Sequence, residues 1–134
     1  SQISPGMYRE YVFPLHRELF EHIHEQGALV KLHICGNITH LLPHLRDAGA
    51  DIIDLDWMVD MDDAHSALGD RIIRCGNLNP VAVIRDRTTE DVYAASRLLV
   101  EGERGRGFIL SGGCEITADT PRENLMAMHR AGSI

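Results

Sequence analysis

Four short apolar segments alternate with helix-like segments along this chain, and this alternation restricts the fold more than any other feature. The apolar segments lie at residues 28–35, 51–56, 71–75 and 108–111. They are too short for typical helices, and glycines at or near their ends are typical of buried strands. Strands separated by helices pair in parallel through right-handed crossovers. The sequence therefore predicts an α/β fold with one helix followed by four βα units.

The first helix is predicted over residues 8–26, because apolar residues recur there at a three-to-four spacing. Pro14 lies inside this pattern and is expected to kink the helix or restart it. The residues predicted to face the core are Tyr8, Val12, Leu15, Leu19 and Ile23.

Capping residues predict where the other helices begin. Asn37 precedes a helix that buries Ile38, Leu41, Leu42 and Leu45 and ends near Gly49. Asp60 precedes a helix through Leu68, and Thr88 or Thr89 one through Leu99. Residues 76–80 are predicted as a loop. The order Thr120-Pro121-Arg122-Glu123 predicts a capping box, with proline at the first position of the last helix.

Composition excludes several classes of function. The chain has 134 residues and a net charge of −7, and 44% of its residues are hydrophobic, so we expect one globular domain over 1–134. It has no lysine and arginine cluster of the kind that nucleic acids or anionic membranes attract. No apolar run approaches the roughly 20 residues of a membrane span, and residues 1–11 lack signal-peptide features. We expect a cytoplasmic protein without nucleic-acid or membrane partners.

Two architectures accommodate four parallel βα units. One is a small open doubly wound sheet, and the other is half of a (β/α)8 barrel, which typically needs about 250 residues. Length alone favours the open sheet. The segment after the first strand reads His-Ile-Cys-Gly-Asn, so the glycine fingerprint of dinucleotide-binding folds is absent.

The carboxyl ends of the predicted strands carry metal-binding residue types. His33 and Cys35 are two residues apart on a strand, so they project to the same side. Cys114 follows the last strand, and two thiolates with one imidazole suit Zn²⁺ in a site with an open position. The alternative is that these are buried strand residues, since free cysteine is commonly a small hydrophobe. Cys75 is predicted to pack in the core.

Asp54 and Asp56 share one strand face and allow two interpretations. They either contribute to a site or form loop hydrogen bonds and a helix cap. Asn77 and Asn79 are candidate donors to a bound group, although turn formation explains them equally well.

Several of these motifs together resemble the uroporphyrinogen decarboxylase superfamily. The resemblance rests on residues 51–57 and 76–80 and on the glycine turn followed by Thr120-Pro121, and it spans nearly the whole chain. It implies an α/β fold that is the carboxyl-terminal half of a TIM (β/α)8 barrel. A half barrel leaves unpaired sheet edges, and these favour either association into a homo-oligomer or rearrangement of the sheet.

Within that superfamily, His33-Ile34-Cys35 with residues 111–114 resembles the zinc-dependent corrinoid methyltransferase branch. The resemblance implies that His33, Cys35 and Cys114 bind zinc and that a corrinoid carries the methyl group. It also implies that Asp56 is a catalytic carboxylate that occupies the fourth metal position before substrate arrives. Asn77 and Asn79 are the candidate cofactor-binding residues.

The implied reaction is methyl transfer between a methylated corrinoid and a thiol that zinc activates. Some members of the branch move methyl from a methylated small molecule onto a corrinoid protein. A metal-bound His33 is expected to donate its other ring hydrogen to a carboxylate or carbonyl. Two alternatives stay open, a noncatalytic binding module and a decarboxylase. The decarboxylases resemble one another in a Leu-Gly-His-Gly turn, where this chain has Ser-Gly-Gly-Cys.

Overall fold

The computed structural model describes residues 3–133, and its sheet contains four parallel strands in chain order. The strands are β1 (Lys31–Ile34), β2 (Ile52–Leu55), β3 (Ile73–Leu78) and β4 (Phe108–Gly112). The spatial order is β1-β2-β3-β4. A doubly wound sheet would reverse its strand order at a switch point, whereas a barrel keeps it. The open sheet that length alone favours is therefore wrong, and the half barrel is confirmed. Residues 1, 2 and 134 of the predicted domain lie outside the described residues.

Helices and helical turns fill the connections between these strands. Asp60 caps its helix by accepting hydrogen bonds from two backbone amides, and Thr88 caps the next long helix, as predicted. Two π-helical turns occupy Tyr8–Val12 and Pro80–Arg85, and a 3₁₀ turn occupies Thr39–Leu41. The helices are α1 (Pro5–Met7), α2 (Phe13–Glu25), α3 (Leu42–Leu45), α4 (Met61–Leu68), α5 (Thr89–Gly102) and α6 (Arg122–Gly132).

The first helical segment buries only part of the predicted set, since Tyr8 is buried and Val12 and Ile23 pack against the core. Tyr8 and Phe20 are buried, whereas Leu15 and Leu19 are 64% and 54% exposed. The amide of Phe13 bonds to the carbonyl of Tyr8, five residues back, so the turn between them is π-helical. A wider turn changes the angular position of every later side chain. The predicted inward positions of Leu15 and Leu19 are therefore wrong.

Strand β3 is longer than predicted, because part of the predicted loop at residues 76–80 is strand. An ideal Cβ on Gly76 would lie 2.7 Å from the carbonyl oxygen of Leu55, so only glycine allows this close approach to β2. The strand continues to Leu78. Asn79 then accepts hydrogen bonds from two backbone amides and caps the π-helical turn that follows.

The start of α6 also differs from its prediction. The helix begins at Arg122, and no side chain caps its first turn. The hydroxyl of Thr120 lies 3.1 Å from that of Thr117, and this local hydrogen bond replaces the predicted capping box. The capping box at residues 120–123 is therefore wrong, although a helix does follow it.

The helices cover one face of the sheet. Leu32 of β1 and the buried Ile53 and Leu55 of β2 pack in the core on that side. His33 and Asp54 alternate with these residues and occupy the opposite face. Within residues 3–133, β1 and β4 each have one edge without a strand partner. No helix in that range has the length and apolar character to cross a membrane.

A buried ion pair joins β3 to the end of α5 on the helix-covered face. Nη2 and Nε of Arg74 lie 2.8 and 3.1 Å from Oε2 of Glu103, and the two side chains are 0% and 2% exposed. Arg106 donates to the other Glu103 oxygen at 3.3 Å, and Arg74 also donates to the carbonyl of Gly69. These contacts satisfy the buried charges, so loss of one partner leaves the other uncompensated.

We expect Glu103→Ala to lower the free energy of unfolding by about 3–5 kcal/mol, because it strands the buried Arg74 guanidinium. Urea denaturation followed by circular dichroism measures the change. The matched control is Glu101→Ala, which removes a pair with Arg97 at 2.7 Å whose acid is 52% exposed. Exposed helix pairs of this spacing contribute about 0.3–0.5 kcal/mol. Equal losses in the two variants would contradict the role assigned to burial.

Candidate metal centre

Three predicted metal ligands converge at the carboxyl end of the sheet. His33 lies on β1, Cys35 directly follows that strand and Cys114 follows β4. Their ligand atoms all lie within 4.8 Å of one another. Nε2 of His33 is 3.2 Å from Sγ of Cys35, which is 3.7 Å from Sγ of Cys114. His33 and Cys35 are exposed and Cys114 is half-buried, so solvent reaches the cluster.

The separations of Cys35 from His33 and from Cys114 are close to those around a tetrahedral zinc ion. With Zn–S bonds of about 2.3 Å and a Zn–N bond of about 2.05 Å, tetrahedral angles place two sulfurs about 3.8 Å apart and nitrogen and sulfur about 3.6 Å apart. The two sulfurs lie 3.7 Å apart, and the nitrogen–sulfur distance of 3.2 Å is shorter by a few tenths of an ångström. Three protein ligands leave one position for water or substrate, as in catalytic zinc sites.

The backbone of β2 orients the His33 ring. Nδ1 of His33 lies 3.0 Å from the carbonyl oxygen of Asp54. A carbonyl oxygen only accepts, so Nδ1 carries the hydrogen and Nε2 keeps its lone pair facing the Cys35 thiol. This confirms the expected hydrogen bond from the second ring nitrogen, and it leaves Nε2 free to bind a metal.

Negative charge surrounds the two thiols. The hydrogen bond to Cys114 and repulsion from its charge raise the pKa of Cys35, and desolvation, Asp56 and Asp54 raise that pKa further. Two thiolates beside two carboxylates are mutually unfavourable, and a bound cation offsets that repulsion.

Asp56, predicted as a catalytic carboxylate and fourth metal ligand, lies beside the cluster with both oxygens in hydrogen bonds. Oδ2 accepts from the amide of Gly36 at 2.8 Å, and Oδ1 accepts from the amide of Met58 at 3.1 Å. The residue is 4% exposed. These contacts are the loop hydrogen bonds of the alternative interpretation, and they attach the turn after β2 to the residue that follows Cys35.

The same turn contacts the segment that carries Cys114. A Cβ on Gly113 would overlap the backbone nitrogen of Trp57 and lie 2.9 Å from its Cα. The amide of Gly113 donates to the carbonyl of Leu78 at 2.7 Å. Asp56 and Trp57 therefore stand between the two cysteine segments and set the separation of the thiols. The consecutive glycines before Cys114 are a sequence signal for this close approach.

Asn77 and Asn79, the candidate cofactor-binding residues, both use their side chains in turns. Nδ2 of Asn77 donates to the carbonyls of Asp56 at 3.2 Å and Val59 at 2.7 Å. Oδ1 of Asn79 accepts from the amides of the helical turn that it caps. Turn formation thus accounts for these hydrogen bonds, and cofactor binding by the two residues stays a prediction.

Cys75 lies outside the ligand cluster. It is 1% exposed, and burial raises the pKa of its thiol. The sequence analysis missed one neighbour of the cluster, Lys31, whose Nζ lies 2.7 Å from Oδ2 of Asp54. Lys31 precedes His33 by two residues on the same strand, so strand alternation could have identified it as a residue of this face.

An open groove of about 420 Å³ lies along the turn after β2. Trp57 and Met58 line it and are 44% and 47% exposed. Asn77 also lines the groove, which therefore has a polar wall formed by the end of β3. The groove thus lies on the same turn that contacts the two cysteine segments, and its lining mixes polar and apolar side chains.

A barrel segment whose candidate site lies beyond the carboxyl ends of its strands belongs architecturally to the TIM-barrel enzymes. The family is more specific than the fold. The chain belongs to the uroporphyrinogen decarboxylase (URO-D) family, whose model matches residues 1–133.

Curated relatives carry two kinds of names. The chain is 37% identical over 126 residues to the methylcobamide:CoM methyltransferase MtbA of Methanosarcina mazei, covering 94% of this chain and 36% of the relative. It is 33% identical over 132 residues to the methylated-thiol–coenzyme M methyltransferase of the same organism, covering 98% and 34%. It is 35% identical over 129 residues to the uroporphyrinogen decarboxylase of Carboxydothermus hydrogenoformans, covering 91% and 34%.

A solved structure, described as a methyltransferase from Methanosarcina mazei, superposes with a TM-score of 0.86 at 23% identity. The match covers 97% of this chain and 37% of that one. It supports the fold. The chain spans about a third of the length of the curated relatives it matches.

We expect Gly113→Ala to separate the two thiols, because the added methyl group meets the rigid backbone of Trp57. Phenylarsine oxide binds thiol pairs that lie close together, and we expect its affinity for the protein to fall about tenfold or more. A tenfold loss corresponds to about 1.4 kcal/mol, which lies within the usual range of single-residue effects. The control is Gly107→Ala, directly before β4, where the new Cβ would lie 3.4 Å from the Ile73 side chain and 3.7 Å from its Cα, which is ordinary van der Waals contact. Unchanged affinity in Gly113→Ala would contradict the role given to Asp56 and Trp57 in setting the separation of the two thiols.

Proposed function

We propose that this chain carries the zinc site of a corrinoid-dependent methyltransferase, with a thiol as the methyl acceptor. The observation that carries the proposal is the convergence of His33, Cys35 and Cys114, whose ligand atoms all lie within 4.8 Å of one another. The names of two relatives, a methylcobamide:CoM methyltransferase and a methylated-thiol–coenzyme M methyltransferase, support the reaction class.

Each ligand contributes a distinct property to the proposed site. His33 is held by the Asp54 carbonyl with Nε2 facing the cluster. Cys35 and Cys114 supply two negative charges, which reduce the net charge of the centre and preserve the nucleophilicity of a substrate sulfur bound there. Zinc bound by these residues would act as a Lewis acid that lowers the pKa of the substrate thiol.

The exposed side of the cluster is the proposed entry for substrate. Because His33 and Cys35 are exposed, a small thiol can reach the fourth position without displacing a side chain. A methylated corrinoid, free or on a corrinoid protein, is the proposed methyl carrier. The same centre could also serve transfer from a methylated small molecule onto a corrinoid protein.

Asp56 is proposed as the carboxylate that occupies the fourth position before substrate arrives. Its Oδ2 now accepts from Gly36, the residue after Cys35, so it lies next to the cluster. Its two amide hydrogen bonds use two of about four lone-pair sites, which leaves acceptor capacity for a metal. Asn77 and Asn79, on the same side of the sheet, are the proposed contacts to the cofactor.

A decarboxylase is the second candidate, because several relatives at 33–35% identity are named uroporphyrinogen decarboxylase. The cysteine at position 114 favours the methyltransferase, since it completes a ligand set for a soft metal. A noncatalytic binding module is the third candidate. Metal binding separates it from the proposed function.

We expect Cys35→Ala and Cys114→Ala each to weaken zinc binding about 100-fold or more, because removal of a direct ligand costs at least as much as removal of an outer hydrogen-bond partner. Competition with a chromophoric chelator measures the affinity, and elemental analysis measures the stoichiometry. Cys75→Ala, which removes a thiol outside the cluster, should leave both unchanged. Equal loss in all three variants, or loss in none, would refute the assignment.

We expect methyl transfer from methylcobalamin to a thiol to be about 100-fold slower in this chain than in a full-length relative, because four strands supply only part of the platform that orients the cofactor. The cobalamin absorbance change reports the rate. Mixing with the remaining part of the barrel from a relative should raise the rate, and Cys35→Ala should abolish the gain. Full activity in a proven monomer would contradict the need for further strands.

A further inference from the structure

The two sulfurs of the candidate metal centre are also placed to react with each other. Cys35 and Cys114 are 79 residues apart in the sequence, yet their Sγ atoms lie 3.7 Å apart. Both are free thiols. A disulfide has an S–S bond of about 2.05 Å, so closure requires the sulfurs to approach by roughly 1.7 Å.

We propose that Cys35 and Cys114 form an oxidation site, in which a hydroperoxide converts the thiol pair into an intramolecular disulfide. The inference rests on the proposed function in one respect, that the disulfide and zinc compete for the same two sulfurs. Oxidation therefore removes two of the three metal ligands and switches the centre off, and reduction restores it.

The chemistry balances with a hydroperoxide as the only oxidant. The Cys35 sulfur attacks one peroxide oxygen, the O–O bond breaks, and a sulfenic acid forms with release of water or an alcohol. The Cys114 sulfur then attacks the sulfenic sulfur, the S–O bond breaks and the sulfenic oxygen leaves as water. Two thiols are oxidised by two electrons, and the peroxide takes up both electrons and both protons.

Accessibility assigns the order of the two cysteines. Cys35 is exposed and meets the oxidant first, whereas Cys114 is half-buried and resolves the intermediate. Cys75 is 1% exposed and lies outside the cluster, so it is neither the first target nor the partner. The contacts of Asp56 with Gly36 and of Trp57 with Gly113 keep the two reacting segments adjacent.

The first experiment uses chelator-treated, metal-free protein and one equivalent of hydrogen peroxide. Free thiols should fall from three to one per chain, and a peptide map without reduction should link Cys35 to Cys114. In Cys75→Ser the thiols should fall from two to none. In Cys114→Ser, Cys35 should instead form a sulfenic acid that dimedone traps. A disulfide that contains Cys75, covalent dimers, or stable sulfenic acid in the unaltered chain would overturn the proposal.

The second experiment repeats the oxidation after one equivalent of Zn²⁺ has been added. Thiol loss should slow about tenfold, since zinc-bound sulfurs are less available to peroxide. The oxidised protein should take up no zinc until dithiothreitol is added. If the disulfide forms in metal-free protein and zinc changes nothing, the metal site fails while the oxidation site stands. If zinc binds and the disulfide does not form, the oxidation site fails alone.

Discussion

The candidate metal centre depends on the position of one turn, the segment that follows β2. The Asp56 carboxylate accepts from the amide of Gly36, and the absence of a side chain on Gly113 lets its segment rest on Trp57. These two contacts hold the loops that carry Cys35 and Cys114 on either side of the same turn. The Asn77 side chain donates two further hydrogen bonds to carbonyls of this turn, so the loops that carry the thiols rest on a segment that is itself held in place.

The division of the sheet into two faces explains why the chemistry lies where it does. The helices and the apolar core occupy one face, including the buried pair of Arg74 and Glu103. The other face carries Lys31, His33 and Asp54, whose polar side chains suit the interior mouth of a barrel. Because side chains alternate along β1, Leu32 and His33 lie on opposite faces of the sheet. One short strand therefore contributes a residue to the core and a ligand to the candidate site.

The residues that carry the resemblance to the superfamily have structural roles in this fold. The residues that carry the resemblance to its methyltransferase branch are the candidate metal ligands. Asp56, Asn77 and Asn79 hold turns together through backbone hydrogen bonds. His33, Cys35 and Cys114 bring nitrogen and sulfur donors to one point on that framework. A shared scaffold with exchangeable donors is consistent with relatives that carry both decarboxylase and methyltransferase names.

The sequence by itself determined the features that depend on local periodicity and local hydrogen bonds. Alternating apolar segments predicted the four strands, Asp60 and Thr88 predicted helix starts, and the His-x-Cys spacing placed two donors on one side of β1. Cys114 was proposed as the third ligand from its place at the carboxyl end of the last predicted strand, and the family resemblance then supported it, although no local pattern relates residues 79 positions apart. Only the tertiary structure decided the rest. The extension of β3 depends on contact between Gly76 and Leu55, and the role of Asp56 depends on the amide of Gly36. Each of these outcomes is set by an atom from a distant part of the chain, which local propensity does not encode.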